Sequence, residues 1–326
     1  MNNSKQNWII YSITIALVLS ISVQTIEFVN KPKTEIPALT SEGWMAPSLF
    51  TDRSVQGEER ALVIYGEELI ANTSRYLGPN GSVAHVTNGM NCQNCHLNAG
   101  RKTWGNNYGA VAANYPKFRD RSGSIETVYK RVSDCMERSL NGSALDSNSH
   151  EMKAMIAYIK WVGYAVPKDS IPKGSGIKPP EYLDRAASPE KGLVVYTAKC
   201  QSCHGANGEG LMAADAQSYT YPPLWGEHSY NNGAGLFRLS RLAGYVRDNM
   251  PFNQATHRTP VLTDEESWDV AAFVNSRPRP SKDLSKDWPN ISKKPIDHPF
   301  GPYTDGFTEE QHKFGPFKPI IEARKK

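Results

Sequence analysis

The string Cys92-Gln93-Asn94-Cys95-His96 returns along the chain as Cys200-Gln201-Ser202-Cys203-His204. C-x-x-C-H is the attachment signature of c-type haem, in which two thiols add to the haem vinyl groups and the next residue sets an imidazole beneath the iron. A single copy is also compatible with a redox or zinc C-x-x-C pair. Two copies, behind an apolar N-terminal run, point instead to two covalently bound haems c. Cys92, Cys95, Cys200 and Cys203 then carry the thioether links, and His96 and His204 are the proximal iron ligands. The chain has 5 Cys, so a complete disulfide framework is excluded and one thiol, Cys135, is left over.

The rest of the chain repeats around these motifs. Ala61-Leu62-Val63-Ile64-Tyr65 matches Gly192-Leu193-Val194-Val195-Tyr196, and both read as the amphipathic helix ahead of an attachment motif. In the second copy Ser188 can cap and Pro189 suits the first helical position. In the first copy an inserted loop with Gly78-Pro79-Asn80-Gly81 precedes Cys92. Closing helices are expected at 149–162, where Met152, Met155, Ile156, Ile159 and Val162 recur at helical spacing, and from the capping box Thr263-Asp264-Glu265-Glu266. Ala157-Tyr158-Ile159 aligns with Ala272-Phe273-Val274 at an offset of 115. The expected fold is mainly α: two class I cytochrome c domains in tandem, with a long irregular C-terminal tail. The expected boundaries are 1–27 for a signal peptide or membrane anchor, 28–55 for an extension, 56–167 and 188–277 for the domains, 168–187 for a linker and 278–326 for the tail.

Residues 8–23 carry no charge after Lys5 and read as an export signal or a short anchor. Haem c is assembled outside the cytoplasm, so both features place the protein in the periplasm, soluble or tethered to the membrane. A formal net charge of +4 argues against a nucleic-acid partner. The tail holds 8 of the 22 prolines, but Trp288, Phe300, Tyr303, Phe307, Phe314 and Phe317 make it too aromatic for solvent, and it is expected to wrap over the domains.

The second axial ligand of a small c-type cytochrome usually lies in a loop before the closing helix. In the second unit that is Met250, a thioether that raises the haem potential, with Met212, His228 and His257 as other candidates. The same 115-residue offset carries Met250 onto Cys135, and each stands 23 residues before its aligned aromatic, Phe273 or Tyr158. Cys135 is therefore the expected axial ligand of the first haem. Met136 is its rival, and a buried, inert thiol is the bland alternative. A helix is expected over 125–140, capped by Ser124 and stopped by Asn141-Gly142. On it Arg131, Cys135 and Ser139 share one face, with Arg138 offset around the helix and Arg119 and Arg121 just upstream. Cations beside a thiol favour the thiolate, and guanidinium forks suit oxyanions, so an anion pocket beside the haem is the reading of this cluster.

From about residue 45 onward the chain resembles the dihaem thiosulfate dehydrogenases, which link two thiosulfates into tetrathionate. The resemblance is carried by the two C-x-x-C-H motifs, by Arg121, Arg131, Cys135, Ser139 and Met250, and by the tail from Asp305-Gly306-Phe307 through Gln311-His312 to Gly315-Pro316-Phe317. It implies His/Cys ligation of the first haem, a substrate pocket holding both arginines and the serine, and transfer of two electrons to an external carrier such as a small cytochrome c. The reaction can run backwards as tetrathionate reduction. Some family members ligate the second haem through a lysine in one redox state. Here the upstream basic residues Arg238 and Arg241 are arginines and cannot ligate iron, so His204/Met250 ligation is expected. The rival readings are a non-catalytic dihaem electron carrier, a dihaem peroxidase, and the cytochrome subunit of a thiosulfate-oxidising multienzyme complex.

Overall fold

The computed structural model describes residues 43–325. The apolar run 8–23, with the expected signal or anchor and the start of the extension, lies outside the described residues. The eight longest of its helices organise the described residues. The first unit contains α1 (Gly57–Ala71), α2 (Val128–Arg138) and α3 (His150–Val162). The second contains α4 (Pro189–Lys199), α5 (Leu239–Asn249) and α6 (Asp264–Ser276). The tail adds α7 (Glu309–Phe314) and α8 (Lys318–Ala323).

In each unit the opening helix crosses the closing helix, α1 on α3 and α4 on α6. Both crossings depend on a glycine. A Cβ at Gly66 would lie 2.1 Å from the Ala154 carbonyl oxygen, and one at Gly192 would lie 1.9 Å from that of Asp269. The paired contacts Ala154/Asp269 and Tyr158/Phe273 keep the 115-residue offset read from the sequence. The opening helices do not keep their expected alignment: Gly66, not Ala61, is the counterpart of Gly192. Backbone approach set that equivalence, and the apolar string Leu-Val-Ile-Tyr did not.

The caps follow the residues. Ser149 Oγ accepts from the Met152 amide (3.1 Å) and Ser188 Oγ from that of Lys191 (3.2 Å). Thr263 and Glu266 form a reciprocal capping box. The helix that bears Cys135 starts later than expected. Ser124 does not cap it; Thr127 does, accepting from the Lys130 amide. Residues Ser124–Glu126 instead form β2, paired antiparallel with β1 (Lys117–Arg119). Gly123, at φ 64°, turns the chain between them, and Ile125 lies opposite Phe118. A β-branched residue facing an aromatic across two strands is a stabilising pair, and it outcompetes another helical turn here. The second unit carries a further two-stranded hairpin, β3 (Leu211–Met212) with β4 (Tyr219–Tyr221).

The two units share one interface. Tyr230, Ala234 and Phe237 of the second unit are buried in the apolar core of the first. Asn231 donates to the Glu137 carbonyl (2.9 Å), and its amide donates to the Arg138 carbonyl (3.0 Å), satisfying the end of α2. The tail binds both units, as its aromatic content predicts. Phe300 stacks on Phe237 with ring centroids 5.7 Å apart, while Phe317 and Ile320 are buried in the second core.

Candidate active site

Each attachment motif lines an apolar slot. The first slot holds Cys92, Cys95 and His96, with Tyr108, Val132 and Ile159 among its walls. The His96 ring donates from Nδ1 to the Asn106 carbonyl oxygen at 2.5 Å, which leaves Nε2 as the free lone pair. Asn106 is itself held, its amide donating to the Gly176 carbonyl (2.9 Å). Burial pushes His96 down to about 4, so the imidazole is neutral, the form that binds iron. In the second slot His204 Nδ1 donates to the Pro222 carbonyl at 2.9 Å, and burial likewise lowers its pKa. An imidazole oriented by a carbonyl behind it is how metal-bound histidines are usually fixed.

All five cysteines are free of disulfides. Burial pushes the Cys92 thiol up to about 11 and the Cys95 thiol up to about 12. Such thiols are poor thiolates at neutral pH, which counts against a redox pair. Apolar slots, unpaired thiols and a free imidazole lone pair together fit covalent haem in both units.

A further sulfur lines each slot. Met250 lines the second slot with His204. Of its rivals, His228 is exposed, Met212 is 41% exposed, and neither lines the slot, nor does His257. Cys135 lines the first slot, as does the fully buried Met136. The two sulfurs sit differently in their helices. Cys135 lies inside α2, whereas Met250 immediately follows α5.

Cys135, unlike Met250, also lines a second cavity that is rich in arginine. This cavity, of about 280 Å³, is continuous with the first slot through Cys95, His96, Asn106, Arg131 and Ser139. The residues expected at the site, Arg121, Arg131, Cys135 and Ser139, all line it. Arg131 and Ser139 lie one turn to either side of Cys135 on α2, and Arg121 sits on the turn between β1 and β2. The Cys135 sulfur, outweighing burial, holds Arg131 above the ordinary guanidinium range. Burial, with Arg138 alongside, pushes Arg121 down to about 10.

Three further arginines line the cavity: Arg119 on β1, and Arg238 and Arg241 from the second unit. The sequence places Arg238 and Arg241 near the wrong haem, 39 and 42 residues past Lys199, and nothing linear joins them to Cys135. The tail sets their positions. Asp297 accepts from Arg238 Nε (2.8 Å) and from the Ser240 amide (3.1 Å) at the start of α5. Asp287 takes both terminal nitrogens of Arg138, each at 2.8 Å, and stands 3.5 Å from Arg121 Nε. The Trp288 amide donates to the Arg121 carbonyl at 2.7 Å. Arg138, expected to stand apart from the pocket, is therefore part of its frame.

Residues 82–166 match the model of the SoxA/TsdA cytochrome c domain, and residues 189–278 match that of cytochrome c. A thiosulfate dehydrogenase of Allochromatium vinosum is 37% identical over 219 residues, an alignment that covers 65% of this chain and 79% of that protein. The chain belongs to the thiosulfate dehydrogenase family. As a member it carries two covalently bound haems c, one in each unit. A thiosulfate dehydrogenase of Psychrobacter arcticus is 38% identical over 209 residues, covering 63% of this chain and 62% of that protein. The solved thiosulfate dehydrogenase (TsdBA) of Marichromatium purpuratum, in its as-isolated form, superposes with a TM-score of 0.66 at 29% identity, over 77% of this chain and 51% of that one. The chain thus spans under two thirds of the Psychrobacter relative and about half of the Marichromatium chain. Among the described residues, no helix of this family member is long and apolar enough to cross a membrane.

Proposed function

We propose that the protein joins two thiosulfates into tetrathionate at Cys135 and passes two electrons to an external one-electron carrier of the small cytochrome c class. The observation that carries this reading is a thiol outside both attachment motifs, Cys135, which lines the His96 slot and a cavity lined by five arginines. In this account His96 and Cys135 ligate the first iron, and His204 and Met250 the second. When bound, the haems supply the electron acceptors, one electron each.

The chain's own residues do the rest. Arg131 sets a positive charge one helical turn from the Cys135 sulfur. The outer sulfur of one thiosulfate bonds to Cys135 Sγ as two electrons leave, giving a sulfonate-terminated Cys–S–S–SO₃⁻ adduct. A second thiosulfate attacks the adduct's sulfur, the Sγ–S bond breaks, and tetrathionate departs as the thiolate returns. The leaving group is the stabilised thiolate, which favours exchange at sulfur. The incoming thiosulfate dianion is repelled by the anionic adduct, and fixed guanidinium groups in a partly enclosed cavity lower that barrier. The reverse steps, with electrons supplied, reduce tetrathionate.

The same account sets the protein in the periplasm, where haem c is attached, released or tethered through residues 8–23. Purified dihaem protein mixed with thiosulfate and ferricyanide tests the function. Tetrathionate accumulating with ferricyanide bleaching at two equivalents per tetrathionate is the expected result. Bleaching without tetrathionate, or none at all, refutes it.

A further inference from the structure

Six arginines in and behind the wall of the Cys135 cavity meet three carboxylates inside the protein, which neutralise half of the positive charge. Arg238 is paired with Asp297, and Arg121 and Arg138 share Asp287. Arg119 lies 3.9 Å from Glu126 and donates to the Tyr115 hydroxyl at 3.1 Å. Among the described residues, no carboxylate lies within ion-pair distance of Arg131 or of Arg241. One of these unneutralised cations is a helical turn from Cys135, and the other stands on α5 of the second unit. Both line the same cavity. Arg241 keeps solvent access, and its electrostatic neighbours are Arg238, Asp297, Tyr182 and Arg119, of which Asp297 is already ion-paired to Arg238.

Neighbouring guanidiniums repel one another, and an anion bound among them relieves that repulsion. Tetrathionate has two sulfonate ends, each with one negative charge, joined by two sulfurs. Resting on the thiosulfate reading above, we infer that the cavity has two sulfonate subsites, one at Arg131 and one at Arg241. Arg131 holds the sulfonate of the Cys135 adduct. Arg241 holds the sulfonate of the incoming thiosulfate, so that its outer sulfur faces the adduct. The exchange then breaks the Sγ–S bond, forms the central S–S bond of tetrathionate and returns the electron pair to Cys135. The second unit thereby supplies a substrate-binding residue to the first, besides carrying its own haem.

Calorimetric titration of the oxidised dihaem protein with tetrathionate tests this without turnover. Arg241→Gln is expected to weaken tetrathionate binding about ten- to a hundredfold, the loss of one charge-assisted contact, with both haem spectra unchanged. Arg241→Lys, which keeps the charge but not the fork, is expected to fall between Gln and wild type. Binding within about twofold of wild type in both variants would overturn the subsite, as would a wild type that binds no tetrathionate. If Arg241→Gln does not fold, the Lys variant alone decides in the same way. A wild type that binds tetrathionate but makes none from thiosulfate would sink the proposed function and leave the subsite standing.

Discussion

Arg138 stands three residues after Cys135, yet its guanidinium points away from the sulfur and into Asp287 of the tail, with only 11% of the side chain exposed. Removing it leaves a buried carboxylate beside Arg121, and the simplest relaxation is for Asp287 to pull Arg121 out of the cavity. Arg138→Gln is therefore expected to cost about 3 kcal/mol of stability and to raise the thiosulfate KM, measured by denaturation and steady-state kinetics. Arg131→Gln should lower the maximal rate as well, with little change in stability, because among the described residues no carboxylate is ion-paired to Arg131 and left stranded by its loss. Arg131→Lys should recover affinity better than rate. Met250→Gly should lower the second haem's potential, read by redox titration, since a thioether favours ferrous iron. An unchanged potential would assign the ligand elsewhere. The sequence shows the spacing of Arg131, Cys135 and Ser139 because a helix is periodic. It does not show Arg238, Arg241 or Asp287, because their approach is made by tertiary packing across two units and a tail.

The helices are held by crossings that leave no room for a side chain. Gly192→Ala would set a methyl group 1.9 Å from the Asp269 carbonyl, and the contact is with backbone, which cannot rotate aside. Separation of α4 from α6 is expected, with a loss of about 3 kcal/mol or more in thermal unfolding and disturbed haem attachment in the second unit. A stability within about 0.5 kcal/mol of wild type would show that this crossing is looser than the geometry implies. Caps and closing helices were legible because Ser149, Ser188 and the Thr263–Glu266 box act within one turn. The β1–β2 hairpin was not, since residues 124–127 suit either a helix start or a strand and only pairing with Lys117–Arg119 decides between them.

At the scale of the whole molecule the tail is a strap that frames the cavity. It contributes Asp287 and Asp297 to the arginines and buries His298, which packs edge-on to Trp288 and Phe300. Burial, with Lys294, Arg121 and Arg238 nearby, pushes His298 down to about 4. A free imidazole takes its proton near 6.5, so between about 6.5 and about 4 the undocked tail binds a proton that the docked tail refuses. The contribution to stability is whole above that window and is lost as pH falls through it, by at most about 3 kcal/mol. Unfolding followed from pH 7 to pH 4 should show this slope, and His298→Gln should flatten it. An unaltered slope would place the proton elsewhere. The aromatic residues of the tail announced that it packs. Which carboxylates it delivers, and to which arginines, depends on a path over both units that no local pattern encodes.

The central claim is that Cys135 is the reacting sulfur. Its most direct test is Cys135→Ala in the intact dihaem protein, assayed with thiosulfate and ferricyanide beside the wild type. The account expects both haems to remain attached, the spectrum of the first haem to change, and tetrathionate formation to vanish. Wild-type turnover in the alanine variant would contradict it.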